Sequence, residues 1–188
     1  MSERNTLIRS MHDVGLAAWF GGSLMGAVGL NGAASNSQDP PRLAADGWGR
    51  WAPVNAAAIG IHSIGGLGLI ISNRGRVANQ QGAGANTAIK LALTGVAMGV
   101  TAYSGMLGKR IAQEGDIGLV GGEGATEPSP YTPDAAASSQ QQLKRLQWAI
   151  PAVTGTLIVL AAQQGEQQKP SQLAGGLRDT TLRRLSRT

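Results

Sequence analysis

Histidine is the side chain in this sequence best suited to chemistry near neutral pH, and the chain has only two, His12 and His62. His62 lies near the middle of an apolar stretch and is followed by Ser63. An imidazole in such a stretch can ligate a haem or a metal ion, relay a proton, or hydrogen-bond a quinone-like ligand. The simpler alternative, which the sequence favours, is a neutral imidazole that bonds a neighbouring helix.

The other candidate residues stand at the start of the first apolar stretch. Asp13 can cap a helix there, beside His12. Along the predicted helices the two histidines differ in depth by about ten residues of helical rise. A haem held by both within one chain is therefore not expected.

Other kinds of chemistry have no support in the sequence. The chain has no cysteine, which excludes thiol catalysis, zinc–thiolate sites and disulfides. Phosphate-binding loops, nucleophile elbows, paired acids and HExxH motifs are absent as well. We therefore expect a protein that is not an enzyme.

Four long segments without formal charge must position the histidines. They are Val14–Gln38, Ala52–Asn73, Leu91–Gly108 and Leu146–Gly165, of 25, 22, 18 and 20 residues. A helix of about 20 apolar residues crosses a bilayer. We predict an all-α, integral membrane four-helix bundle in residues 1–165, with spans near 12–34, 52–73, 88–108 and 146–164.

Two alternatives remain open at this point. The same segments can form a soluble bundle of Ala/Gly-rich helices, because the 188 residues include 28 glycines. The first segment can also be a signal peptide cleaved after Gly32-Ala33-Ala34, although it is longer and richer in glycine than a usual signal core. Lys90 begins the third segment and is expected to reach the headgroups.

The distribution of charge predicts the orientation. With four spans, the two termini and the 74–90 loop share one side, which carries ten basic and four acidic residues, a net charge of +6. The opposite side carries six basic and seven acidic residues, a net charge of −1. Since cytoplasmic segments are richer in Lys and Arg, both termini are predicted to be cytoplasmic. Membrane orientation also explains the pI near 10.2 better than nucleic-acid binding does.

Two segments lie outside the predicted spans. Residues 109–145 are rich in Gly, Pro and Ser and are expected to form a flexible external loop. Residues 166–188 form a basic cytoplasmic tail. Its leucines can share one helix face beside arginines, so the tail either lies on anionic lipid or is solvated.

Small residues predict where the helices pack. In a bilayer, helices associate where small side chains allow close backbone approach. The helix-packing candidates are Gly15, Gly22, Gly26, Gly29, Gly95 and Gly99. Such faces serve either a self-contained bundle or docking onto other membrane subunits. Trp48, Trp51 and Trp148 are expected at the outer interface.

The first predicted helix resembles that of a known family. His12, followed after six residues by Trp19-Phe20-Gly21-Gly22, is similar to the opening of the copper-resistance D family and related small four-helix bacterial membrane proteins. The resemblance implies an inner-membrane bundle that handles copper or haem, with His12 as its N-terminal histidine and Gly21-Gly22 as its packing pair. The chain lacks the family's methionine-rich or further histidine clusters.

Taken together, the sequence predicts a multi-pass protein of a bacterial inner membrane. Arginine outnumbers lysine 12 to 4, which is typical of a GC-rich bacterial genome. The expected function is that of a non-catalytic accessory subunit that packs through glycine faces against lipid and other membrane subunits or itself. The alternative is a small membrane protein that handles a haem, copper or a quinone-like ligand through His62, with His12 as a second candidate.

Overall fold

A computed structural model describes residues 5–74, 83–116 and 123–166. In these ranges the chain forms four long helices and no strand: α1 (Thr6–Ala34), α2 (Pro40–Ser72), α3 (Ala83–Asp116) and α4 (Asp134–Glu166). The prediction of an all-α protein is confirmed. The basic tail predicted for residues 166–188 lies outside the described residues except for Glu166.

The turn between α1 and α2 is built from local hydrogen bonds. α1 contains one π-helical turn, Gly26–Leu30, before it ends at Ala34. The hydroxyl of Ser37 then donates to the carbonyl of Ala34, at 2.7 Å. Asp39 caps α2 by accepting from the backbone N–H of Arg42, and two prolines without N–H groups form the first turn of α2. These contacts reverse the chain within five residues.

The helices form an antiparallel bundle in which α1 and α3 are diagonal neighbours. α1 and α3 each pack against α2 and α4. The core between the helices contains Leu16, Trp19, Ala97, Ile150 and Leu157. The indole N–H of Trp19 crosses the bundle to the hydroxyl of Thr101, at 3.1 Å. This hydrogen bond links the two diagonal helices through the centre of the core.

All four helices are long and apolar enough to cross a membrane. Their outer surfaces expose large aliphatic side chains such as Val14, Ile64 and Ile71. Only 33% of the apolar segment of α1 and 11% of that of α3 is buried within the bundle. Exposed apolar surface of this extent suits lipid rather than water. The structure therefore supports a multi-pass membrane protein.

The helices extend beyond the predicted spans, most clearly at the end where α1 meets α2. α2 begins at Pro40 rather than near residue 52, and residues 109–116 and 134–145 of the predicted loop are helical. The charge-free length of a segment measures the part that contacts hydrocarbon, whereas a helix continues into the headgroup layer. Asp46 and Arg50, for example, are exposed on the first turns of α2.

Residues 123–133 pack against the bundle instead of standing free of it. Ala125 is 4% exposed and contacts Ala34, Ala44 and Trp48 at the α1–α2 turn. Glu127 pairs with Lys144 of α4, with 3.0 Å between Oε1 and Nζ. A Gly/Pro-rich segment lacks a core of its own, but here its small residues fit against the small residues of two helices.

Candidate functional site

Reciprocal glycines bring the backbones of α1 and α2 into direct contact. A Cβ at Gly15 would lie 2.6 Å from the carbonyl oxygen of Ala58 and from the backbone nitrogen of His62. A Cβ at Gly65 would in turn overlap the backbone of His12 and lie 2.8 Å from the carbonyl oxygen of Ile8. Real Cβ atoms do not approach backbone this closely, so only glycine fits either position. This contact fixes the register of the two helices around the histidines.

The two imidazoles lie against each other in this seam. Their ring centroids are 4.3 Å apart with an interplanar angle of 40°. His62 is 3% exposed, whereas the side chain of His12 remains 15% exposed. The expectation that the two histidines lie at different depths is wrong. In the antiparallel register set by the glycines, the first turns of α1 meet the last third of α2.

Hydrogen bonds fix the proton on one nitrogen of each ring. Nδ1 of His62 lies 2.9 Å from the carbonyl oxygen of His12, and a carbonyl can only accept. Nδ1 of His12 lies 2.9 Å from Oδ1 of Asp13, a carboxylate on the exposed side of α1. Both Nδ1 atoms therefore donate, and in the neutral form each Nε2 carries a lone pair. Among the described residues, neither Nε2 has a hydrogen-bond partner.

The Nε2 edge of His12 is directed at α2. Nε2 and Cδ2 of this ring lie 3.9 Å and 3.3 Å from the Cβ position of Gly66, one helical turn after His62. The absence of a side chain at Gly66 leaves room for this edge of the ring. The indole of Trp19 meets His62 edge-on from the core side, with centroids 6.2 Å apart.

Charged residues from two helices lie near the pair. Arg9 and Asp13 come from α1, and Lys90 comes from α3. The Lys90 ammonium is within electrostatic range of Asp13, Arg9 and His62. The charges of Lys90 and Asp13 thus act on His62, whereas Arg9 acts on Lys90. Asp13 lies seven residues into α1, so its predicted role as a helix cap is wrong; Asn5 occupies the N-cap position.

The geometry limits which cofactors the pair can hold. Two axial imidazoles bind opposite faces of a haem with the iron between them. Rings in mutual contact leave no space for a porphyrin, so this pair does not fit a haem that both histidines ligate. Within the described residues, no group of three or more His, Asp or Glu side chains is arranged to hold a metal ion. From the described residues, a metal ion here would have at most the two Nε2 atoms as ligands.

The predicted packing glycines fall into two groups. Gly15, Gly22 and Gly26 face α2, where Gly22 accommodates the indole of Trp51 and Gly26 that of Trp48. The atoms nearest to the Cβ position of Gly29 belong to Met25 of its own helix. For Gly95 and Gly99 of α3, nothing lies within 4 Å of the Cβ position, so they face away from the described bundle.

Sequence reasoning missed a polar junction near the opposite end. The buried Asn31 of α1 accepts from the indole N–H of Trp48, at 3.0 Å, and donates to Gln147 of α4. The sequence signal for this junction was the side-chain amide of Asn31, which lies inside a segment without formal charge. Trp48 and Trp51 were expected at the membrane interface; in the structure their indoles fill the space beside Gly26 and Gly22 of α1.

In comparisons with known proteins, no protein-family model, curated protein or solved structure matches this chain. The resemblance of the first helix to the copper-resistance D family thus stays a hypothesis based on a few residues around His12 and Trp19.

Proposed function

We propose that this is a multi-pass protein of a bacterial inner membrane with both termini in the cytoplasm. Four apolar helices of alternating direction support this, because they return the chain to the side from which it starts. The excess of basic residues on that side supports the cytoplasmic assignment. In this orientation the histidine pair lies in the cytoplasmic half of the bundle.

The function that the geometry supports best is the handling of a small ligand at the His12–His62 pair. One observation carries this proposal: both Nδ1 atoms are held by protein acceptors, while neither Nε2 atom has a hydrogen-bond partner in the part of the chain that the structure describes. An imidazole nitrogen with a lone pair and no protein donor can accept from a ligand or bind a metal ion, which supports a binding role for the pair. We therefore rank ligand handling above the accessory role, the reverse of the order that the sequence favours.

The test is the substitution His62→Asn. The asparagine amide nitrogen can occupy the place of Nδ1 and keep the hydrogen bond to the His12 carbonyl, while Nε2 is lost. We expect wild-type protein, purified in mild detergent, to carry a small molecule or metal ion that His62→Asn protein lacks. Organic extraction with mass spectrometry and elemental analysis measure the content.

Ser63→Ala is the matched control, because the Ser63 hydroxyl bonds only to its own helix, at Ile59. Its content should equal that of the wild type. Equal content in His62→Asn protein, at unchanged thermal stability, would reject ligand handling at the pair.

A second candidate function, that of an accessory subunit, rests on the outer face of α3. α3 is the least buried of the four spans, and its Gly95 and Gly99 stand one helical turn apart with open space around both. Small residues at this spacing favour close contact between membrane helices. We propose that α3 docks onto a transmembrane helix of a partner subunit.

Because the chain has no cysteine, a single introduced thiol reports on that contact. Gly99→Cys in native membranes is expected to form a disulfide or bismaleimide adduct with a neighbouring membrane protein. Gly21→Cys, at an equally open position on α1, serves as the control. Adducts of equal yield at both positions, or none at Gly99→Cys, would count against docking through α3.

A further inference from the structure

We propose that two copies of this chain form a symmetric dimer in the membrane, in which the outer face of α2 in each copy packs against the outer face of α3 in the other. This inference rests on the docking of α3 proposed above and names its partner, a second copy of the chain. It follows from two exposed faces of the bundle that match in depth, size and charge.

The α3 face is a row of residues spaced alternately four and three apart, so they share one side of the helix. Every member is exposed: Ala88, Ala92, Gly95, Gly99, Ala102, Met106 and Lys109. Five of the seven are alanine or glycine, and nothing lies within 4 Å of the Cβ positions of Gly95 and Gly99. Small side chains allow another membrane helix to approach this face closely.

The α2 face is a second row of this kind, on the side of α2 opposite His62. Its members are Asp46, Gly49, Pro53, Ala56, Gly60, Ile64 and Leu67, all exposed except Gly60, which is partly exposed. Nothing lies within 4 Å of the Cβ positions of Gly49 and Gly60. Ile64 and Leu67 are 62% and 59% exposed. The α2 face thus combines open glycines with large side chains that no other part of the described bundle covers.

Contacts within the bundle set the relative depth of the two faces. Gly22 of α1 packs against Trp51 of α2. The hydrogen bond from Trp19 to Thr101 fixes the level of α1 on α3, which runs in the same direction, so Gly22 is level with Ser104. Trp51 and Ser104 therefore lie at about the same depth.

Counting from this level along two antiparallel helices places the two faces in register. The pairs at equal depth are Leu67 and Ala88, Gly60 and Gly95, Ala56 and Gly99, Pro53 and Ala102, Gly49 and Met106, and Asp46 and Lys109. A second copy inserted in the same orientation has the same depths. The α2 face of one copy can therefore meet the α3 face of the other without a vertical shift.

The sizes of the paired residues are complementary. Glycine meets glycine where Gly60 and Gly95 are level, which allows close backbone approach. The large side chains of Leu67 and Met106 are each level with a small residue on the opposite face, Ala88 and Gly49. Neither face places two large side chains against each other at these depths.

The charges are complementary as well. Asp46, Lys109 and Arg110 are exposed, and none of them has a hydrogen bond or ion pair with another described residue. Packing of α2 against α3 of a second copy brings Asp46 to Lys109, and opposite charges across an interface favour that pairing. Arg50, one turn further along α2, is level with Gly105, where α3 has no charge.

Symmetry favours this pairing over the contact of two identical faces. Packing α3 against α3 would bring Lys109 beside Lys109, and packing α2 against α2 would do the same with Asp46. Because α2 and α3 are neighbours in the bundle, a two-fold axis along the membrane normal forms the α2–α3 contact twice. Each dimer then contains two Asp46–Lys109 pairs.

The first experiment uses introduced thiols, since the chain has no cysteine. Gly60→Cys and Gly95→Cys chains with different affinity tags are produced together and oxidised in native membranes. We expect a disulfide between one chain of each kind, because a disulfide requires Cβ atoms about 4 Å apart. Both positions have open space around them, so the bundle tolerates the cysteines.

Gly49→Cys with Gly95→Cys is the matched control. Gly49 is equally open but lies eleven residues, or about 16 Å, from Gly60 along α2. This pair should form no disulfide. Equal yields for the two pairs, or no disulfide between Gly60→Cys and Gly95→Cys chains, would overturn the inference. So would a disulfide between two Gly95→Cys chains, because it would assign the contact to α3 of both copies.

The second experiment reverses the charges of the full chain in liposomes. Asp46→Lys and Lys109→Asp each replace two attractive contacts of the dimer by repulsive ones. We expect either substitution to raise the dissociation constant of the dimer about tenfold, measured by energy transfer between labelled copies. The chain that carries both substitutions should dimerise like the wild type. Single variants that dimerise like the wild type, or a double variant no tighter than the single ones, would contradict the pairing.

Failure of this inference and failure of docking through α3 can be distinguished. In the dimer the two Gly99 positions face each other diagonally, about 13 Å apart for helices in contact, so a long bismaleimide on Gly99→Cys should join two copies. If the Gly99→Cys adduct contains a different protein and the Gly60–Gly95 disulfide is absent, α3 docks but the second copy is wrong. If neither product forms, both proposals fail.

Discussion

At the scale of single residues, the absence of a side chain determines where the imidazoles lie. Gly15 and Gly65 allow α1 and α2 to touch backbone to backbone, one on each helix and on either side of the histidine contact. Most other glycines with close neighbours meet side chains, which can shift, whereas a backbone cannot give way without moving a helix. The chemistry of the pair therefore depends on residues that contribute no functional group.

Gly15→Ala tests this dependence. The added methyl group would lie 2.6 Å from backbone atoms of α2, so the helices must separate. Overpacking of this kind typically costs about 1–3 kcal/mol, and we expect a lower midpoint of unfolding in detergent. The bond from His62 to the His12 carbonyl should weaken as well.

Gly95→Ala is the control, because open space surrounds that position. Alanine favours a helix over glycine by about 1 kcal/mol, so this variant should unfold at the same or a higher denaturant concentration. A Gly15→Ala protein as stable as Gly95→Ala protein would contradict the contact.

At the scale of elements, the sequence predicts the four helices but not how they meet. Charge-free length reports contact with lipid, which is a local property of each segment, and it located all four spans. The register of α1 on α2 depends on contacts between Gly15 and Ala58 and between Gly65 and His12, which are about 43 and 53 residues apart in sequence. Because the sequence does not give this register, it placed His12 and His62 at different depths.

The spacing of glycines likewise does not reveal which surface a glycine contacts. Gly22 and Gly99 each belong to a GxxxG pair, yet Gly22 holds Trp51 of α2 whereas Gly99 faces open space. The spacing predicts a close contact and leaves its partner undefined. Only the position of each glycine on the assembled bundle distinguishes an internal contact from an external one.

At the scale of the whole molecule, the segment 123–133 ties the two halves of the bundle together at the end opposite the histidines. It connects α3 to α4, while its Ala125 is buried against α1 and α2. Its main polar attachment is Glu127, which pairs with Lys144 and accepts from the backbone N–H of Thr126, at 3.2 Å. Partial burial alone would raise the pKa of Glu127, but the bonds from Lys144 and Thr126 and the charge of Lys144 outweigh it and lower this pKa below its usual value.

The lowered pKa sets the direction of a pH effect. A carboxyl group whose pKa is lower in the folded state stabilises that state above its unfolded pKa and loses the contribution as pH falls through the folded pKa. We expect the segment to stay attached at neutral pH and to loosen in acid, as the pH falls below the usual pKa of a glutamate side chain. Hydrogen exchange of the amides of residues 123–133, measured across this range, should rise. The effect is small, because Glu127 is 39% exposed and solvent screens the pair.

Glu127→Gln isolates the carboxyl group. This variant cannot ionise, so the segment should exchange faster than in the wild type at neutral pH, and its exchange should change less on acidification. If Glu127→Gln protein shows the same acid-dependent rise as the wild type, the attachment does not depend on Glu127. In that case the small-residue contact of Ala125 with Ala34 and Ala44 is sufficient to hold the segment against both halves of the bundle.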